Sequence, residues 1–207
     1  MKKLLMIGAI LAIGTTMAYG ETTENVTTDV KVIAEIVNEN FVITDLDGNP
    51  IVLDFGKISG NSYGADATNP IREVSKGYKM TYVGADSGVS KYQGKNITMT
   101  LTDTDSIGVA GNNPADGTAY NSTKVLMRRQ VTAGDTGNDG NDTITSNIFL
   151  SEYKATLATV AKPNDVAYIG QIGGYMTASD LGTDAAPASG EYLGTAELKV
   201  TIAGLGE

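Results

Sequence analysis

The chain has 207 residues, with 24 Asp and Glu against 15 Lys and Arg, no histidine and no cysteine, for a formal net charge of −9. That inventory removes histidine-based triads, thiol nucleophiles, and the usual zinc and copper sites. The acidic balance repels phosphate backbones and argues against a nucleic-acid partner.

Residues 1–20 read as a secretion signal. Lys2 and Lys3 give a positive start, Leu4 to Ala18 an apolar core interrupted by Gly8 and Gly14, and Ala18-Tyr19-Gly20 the small residues that a signal peptidase inspects, with cleavage expected after Gly20. The apolar run is short for a membrane span of roughly 20 residues, and no second run of that length follows. The expectation is an exported chain with no stable membrane insertion after signal removal, in the periplasm in transit and then at the cell surface. Without cysteine such a chain has no disulfide, so its stability has to come from a core, a partner or both.

From Val26 to Ile36 the even positions Val26, Thr28, Val30, Val32, Ala34 and Ile36 are apolar or methyl-bearing, and the odd ones are polar apart from Ile33. This is the period-two pattern of a strand with one buried face. At a chain end it needs a sheet to receive it, because its unpaired N–H and C=O groups and its apolar stripe are both costly in water.

Further short strands follow at regular spacing. Phe41 to Leu46 continues extended, Asp47-Gly48-Asn49-Pro50 is a turn, and Ile51 to Phe55 resumes. Tyr78, Met80 and Tyr82 alternate with Lys79 and Thr81, and Ile97, Met99 and Leu101 alternate with threonines. Lys124 to Val131, Ile144 to Leu150 and Tyr153 to Val160 are further candidates, the last with enough Ala and Leu to be a short helix instead. Arg128 and Arg129 read as solvated strand residues. In the last strand Tyr192, Gly194, Ala196, Leu198, Val200 and Ile202 share one parity. Many short strands and almost no helix-period stripe predict an all-β, immunoglobulin-like antiparallel sandwich.

Motifs for chemistry are scarce. There is no phosphate loop and no Gly-x-Ser-x-Gly elbow. A glycosidase pair of carboxylates is possible on paper, yet the chain has no tryptophan to floor a sugar cleft and its ten tyrosines are scattered. Asp135 to Asp142 is rich in oxygen donors, but Gly137 and Ser146 stand where an EF-hand needs a third-position ligand and a twelfth-position carboxylate. It reads as a solvated hairpin loop. The sequons at Asn25, Asn96, Asn121 and Asn141 carry no assigned function. The expectation is a non-enzyme with no cofactor and no metal.

Val30-Lys31-Val32-Ile33-Ala34-Glu35-Ile36, followed by a second strand and the Asp47-Gly48 turn, resembles the start of mature alpha-type colonisation-factor major pilins, fimbrial subunits assembled by the chaperone-usher route. The segment Gly190-Glu191-Tyr192-Leu193-Gly194 with its alternating continuation to Ile202 is similar to that family's closing strand, and Asn96 to Thr102 resembles its central strand. The intervening loops have no match in the family pattern. The resemblance implies an incomplete sandwich completed by donor-strand exchange, in which the N-terminal extension of one subunit fills the groove of the next. It implies residues 1–20 as signal peptide, 21–37 as donor strand and 38–207 as the pilin domain. Val26, Thr28, Val30, Val32, Ala34 and Ile36 would enter the groove, and Tyr192, Ala196, Leu198 and Val200 would form its edge. Ile33, apolar on the outer face, departs from the pattern and implies that both faces become covered.

The partners so implied are other copies of the chain, a periplasmic chaperone, an outer-membrane usher and a tip adhesin. Two alternatives use the same residues. In one the terminal strand pairs within its own domain, and in the other the chain is a monomeric extracytoplasmic binding module whose loops around Tyr63, Tyr92, Tyr120 and Tyr175 hold a ligand.

Overall fold

The computed structural model describes residues 25–36, 40–59, 69–103, 122–130, 143–182 and 187–204. The signal segment and the oxygen-rich loop 135–142 lie outside these residues. About two thirds of the described residues are strand, with two short 3-10 turns at Asp86–Lys91 and Ala178–Leu181. The ten strands are β1 (Asn25–Ile36), β2 (Phe41–Asp45), β3 (Ile51–Ser59), β4 (Pro70–Tyr82), β5 (Asn96–Asp103), β6 (Ser122–Arg129), β7 (Thr143–Leu150), β8 (Lys154–Thr156), β9 (Val166–Thr177) and β10 (Gly190–Ile202).

They hydrogen-bond in the order β2-β4-β9-β7-β6-β10-β1-β3, with β5 and β8 branching from β10. The path folds over on itself into an all-β sandwich. Phe55 of β3 lies against Gly174 of β9, and Tyr78 of β4 donates its hydroxyl to Met99 Sδ of β5 at 3.0 Å. Burial pushes the Tyr78 phenol well above its ordinary range. Every described pairing is antiparallel except that of β1 with β10.

β10 belongs to both layers. Tyr192 to Gly194 pair with β6, and Ala196 to Ile202 pair with β5. At the changeover a Cβ on Gly194 would sit 2.7 Å from Met127 Cγ and 3.0 Å from the Leu126 carbonyl oxygen, so only glycine lets β6 approach there. Tyr192, Gly194, Ala196, Leu198, Val200 and Ile202 are all buried, in the parity that the sequence predicts.

The segment 153–160, ambiguous in sequence, is not a helix. Lys154–Thr156 pairs with the start of β5, and Leu157 and Val160 are buried beyond it. β4 begins at Pro70, earlier than alternation predicts, because its first half is largely solvent-facing and a proline is tolerated as the first residue of a strand. Arg128 is exposed on β6 and Arg129 half-buried.

β9 is the one strand with no counterpart in the sequence reading. Gly170, Gly173 and Gly174 break its pattern, and each makes room for a ring. Tyr78 lies opposite Gly170 and Phe149 opposite Gly173 in register, with Phe55 over Gly174 from the other layer. The rings replace the missing side chains, an aromatic rescue of strand glycines. A Cβ at Gly174 would meet Phe55 Cζ at 2.7 Å and Ile148 Cδ1 at 2.9 Å.

Two buried carboxylates fasten the polar ends. Asp45 accepts the N–H groups of Asp47 and Asn49 at 3.0 and 2.8 Å, and Lys76 Nζ at 3.0 Å, which holds the turn into β3. The N–H of Asn49, then the Lys76 ammonium, keep its carboxyl below the ordinary value of 3.8 against the opposing effect of burial. Asp180, at the end of β9, accepts Thr177 N at 2.8 Å, Thr177 Oγ1 at 2.9 Å, Thr145 Oγ1 at 2.7 Å, Asn147 Nδ2 at 3.1 Å and Lys124 Nζ at 2.9 Å.

Gly174→Val should lower the free energy of unfolding by about 1 to 3 kcal/mol through overpacking, measured by chemical denaturation. Because the folded pKa of Asp45 is depressed, its stabilisation is present above the unfolded value and lost as pH falls through the folded one. Asp45→Asn should therefore be less stable than the parent at neutral pH, with the difference closing on acidification; thermal melts at a series of pH values check it.

Candidate subunit interface

The terminal strand occupies a slot with two edges. β1 runs parallel to β10 in one unbroken register, from Val26↔Gly190 to Ile36↔Val200. On its other side it runs antiparallel to β3, from Asn25↔Ser59 to Val32↔Ile51.

The backbone register places the predicted donor positions opposite the predicted groove positions. Thr28 lies across from Tyr192, Val32 from Ala196, Ala34 from Leu198 and Ile36 from Val200, while Val26 and Val30 meet Gly190 and Gly194. Tyr192, Ala196, Leu198 and Val200 are all buried, and Val32 is 3% exposed. In parallel strands, residues in register share a face, so the even positions of β1 line up with the core-facing set of β10.

Sequence reasoning missed the second edge. Ile51, Leu53 and Ile58 of β3 are buried and lie opposite Val32, Val30 and Val26. Their parity changes between Leu53 and Ile58, which alternation alone does not accommodate. A β-bulge resolves it. The register steps between Thr28 and Asp29, which face Gly56 and Asp54, leaving Phe55 as the extra residue. Gly56 has φ +69°, a left-handed conformation suited to glycine, and its N–H donates to Asp54 Oδ1 at 2.6 Å. The alternating Ile51, Leu53, Phe55 followed by glycine was the available signal.

All of this takes place within one chain, in which β1 closes its own slot. A strand bonded on both edges gains a double row of main-chain hydrogen bonds, each worth about 0.5 to 1.5 kcal/mol net. Parallel pairing is slightly less stable per residue than antiparallel, and β1 makes the only such pair among the described residues.

No group of three His, Cys, Asp or Glu among them could hold a metal ion. Asp180 is buried, but its five donors exceed the roughly four lone-pair sites of a carboxylate, so it acts as a fastening between β6, β7 and the end of β9. Of the tyrosines considered for a ligand site, Tyr63 and Tyr120 lie outside the described residues. Of the other two, Tyr175 lies within β9 and not in a loop, while Tyr92 lies in the turn before β5 and is buried. Tyr92 is 4% exposed and packs edge-on against Phe41 with centroids 4.9 Å apart. Tyr175 is half-buried within β9, 6.3 Å from the Phe149 ring; burial raises its phenol pKa, with the Asp180 carboxylate adding to the shift. No helix among the described residues is long and apolar enough to cross a membrane.

Neither family models nor curated proteins returned a match to this chain.

Leu53→Ala, on the edge that sequence reasoning missed, should cost about 2 to 5 kcal/mol of stability by leaving a cavity beside β1. Equilibrium unfolding of the purified mature chain measures it.

Proposed function

We propose that this chain is a structural subunit, a major pilin, of an extracellular fimbria that polymerises by donor-strand complementation, supporting adhesion and colonisation. The observation that carries the reading is the position of β1, a chain-terminal strand held between β3 and β10 in the sheet's one parallel pairing among the described residues. A copy of the same segment from a neighbouring molecule presents the same residues to the same edges. Exchange of an identical terminal element is a low-cost route to assembly. A head-to-tail exchange does not close on itself, so it yields a filament.

The mechanism is a transfer of pairing. A subunit with β1 withdrawn exposes the unpaired edges of β3 and β10 and the apolar strip formed by Leu53, Ala196 and Leu198. Such a surface aggregates unless covered. A chaperone supplying a temporary strand, an usher at the outer membrane and a tip adhesin complete the proposed route, and the export signal expected from residues 1–20 is consistent with it.

The self-paired β1 favours a second reading, a monomeric exported module that keeps its own strand. Whether the wild-type chain polymerises separates the two, and Val32→Asp checks that β1 is the element used. It places a charge at the buried centre of β1, where an unpaired buried charge is strongly disfavoured. The pilin reading predicts that the wild-type chain forms filaments by electron microscopy and that the variant forms none. A wild-type chain that stays monomeric at high concentration, in the presence of its assembly machinery, would favour the module.

A further inference from the structure

The segment that joins β1 to the body of the molecule is short. Only Val37, Asn38 and Glu39 separate Ile36 from Asn40, so at about 3.3 to 3.6 Å per residue the link spans at most about 14 Å. Its far end is fixed. Asn40 donates its side-chain amide to the Tyr92 hydroxyl at 2.9 Å, and its carbonyl accepts Val83 N–H at 2.8 Å. Phe41, Tyr82 and Tyr92 pack beneath as a ring cluster, with centroids 4.9 to 5.6 Å apart.

The outer surface beside that anchor carries four exposed apolar side chains set around Thr81 and Lys79. Val42 pairs with Thr81, and Thr81 with Val166, which puts the three in one row across β2, β4 and β9. Val83 follows Thr81 on the same face beside Asn40, and Ile169 lies in the next row opposite Lys79. Val42 is 42% exposed, Val83 46%, Val166 39% and Ile169 63%. Apolar residues grouped on one exposed sheet face mark an interaction surface.

We propose that Val42, Val83, Val166 and Ile169 form a second contact between successive copies of this chain, a collar seated against the copy whose slot holds β1. The inference rests on the pilin reading, and the occupant follows from the link. When β1 sits in a neighbour, that neighbour's slot has to open within about 14 Å of Asn40, which brings its mouth against the face that carries the collar. The collar adds apolar burial to each joint and limits the angle between successive subunits.

The test uses the full mature chain. In Val42→Asp/Val166→Asp, mean filament length by electron microscopy should fall at least about tenfold through loss of apolar burial, and the ladder of unheated polymers on denaturing gels should disappear at a lower temperature. The melting temperature of the monomeric fraction should stay at the wild-type value, since these side chains lie on the surface. The gentler Val42→Thr/Val83→Thr/Val166→Thr, close in shape to the parent, should shorten filaments in the same direction if the charged pair perturbs folding. Undiminished length and heat resistance in both variants overturns the collar and leaves strand exchange standing. A wild-type chain that gives no ladder overturns strand exchange and the collar with it.

Discussion

The core of this molecule closes only when the edges of β3 and β10 are bridged. Both strands carry buried aliphatic residues along the side that β1 covers, and both would otherwise show water a row of unpaired main-chain groups. β10 cannot relieve the problem by pairing elsewhere, since its other edge is shared between β6 and β5. A strand must therefore lie in the slot, whatever molecule supplies it. The bulge at Gly56 shapes β3 so that its buried residues stay opposite the even positions of β1 from Val26 to Val32.

The rest of the sandwich shows how a chain without disulfides holds together. Packing is closest where β9 has no side chains, with Tyr78, Phe149 and Phe55 set over Gly170, Gly173 and Gly174. Dense packing of this kind leaves few voids and transmits strain. At the polar margins Asp45 and Asp180 gather hydrogen bonds from several elements each. Satisfied buried carboxylates pin strand ends that would otherwise fray.

The proposed function follows from where the interaction energy is placed. The polar clusters fasten strands and the aromatic rings fill the core, and in the proposed exchange the element that changes hands is β1, which lies between β3 and β10. Its short link to Asn40 ties the placement of a neighbouring copy to the rigid ring cluster of Phe41, Tyr82 and Tyr92. Strand exchange and the apolar face beside the link are in this view two parts of one joint.

Much of the sheet was legible in the sequence because burial on one face imposes period two. β1, β5, β7 and β10 lie close to where alternation puts them, and the buried parity of β10 agrees residue by residue. β9 was not legible, because its glycines carry no hydrophobic signal and their role exists only beside rings from other strands. Tyr175, read as a loop residue, lies within a strand, and Tyr92, which does lie in a turn, is buried against Phe41. The amino-acid order by itself determined that the first and last strands, β1 and β10, carry matching apolar parities. Only the tertiary structure decided that they are neighbours, that they run parallel, and that β3 forms the other wall. Pairing partners and direction depend on contacts between residues far apart in sequence, and local periodicity holds no record of those.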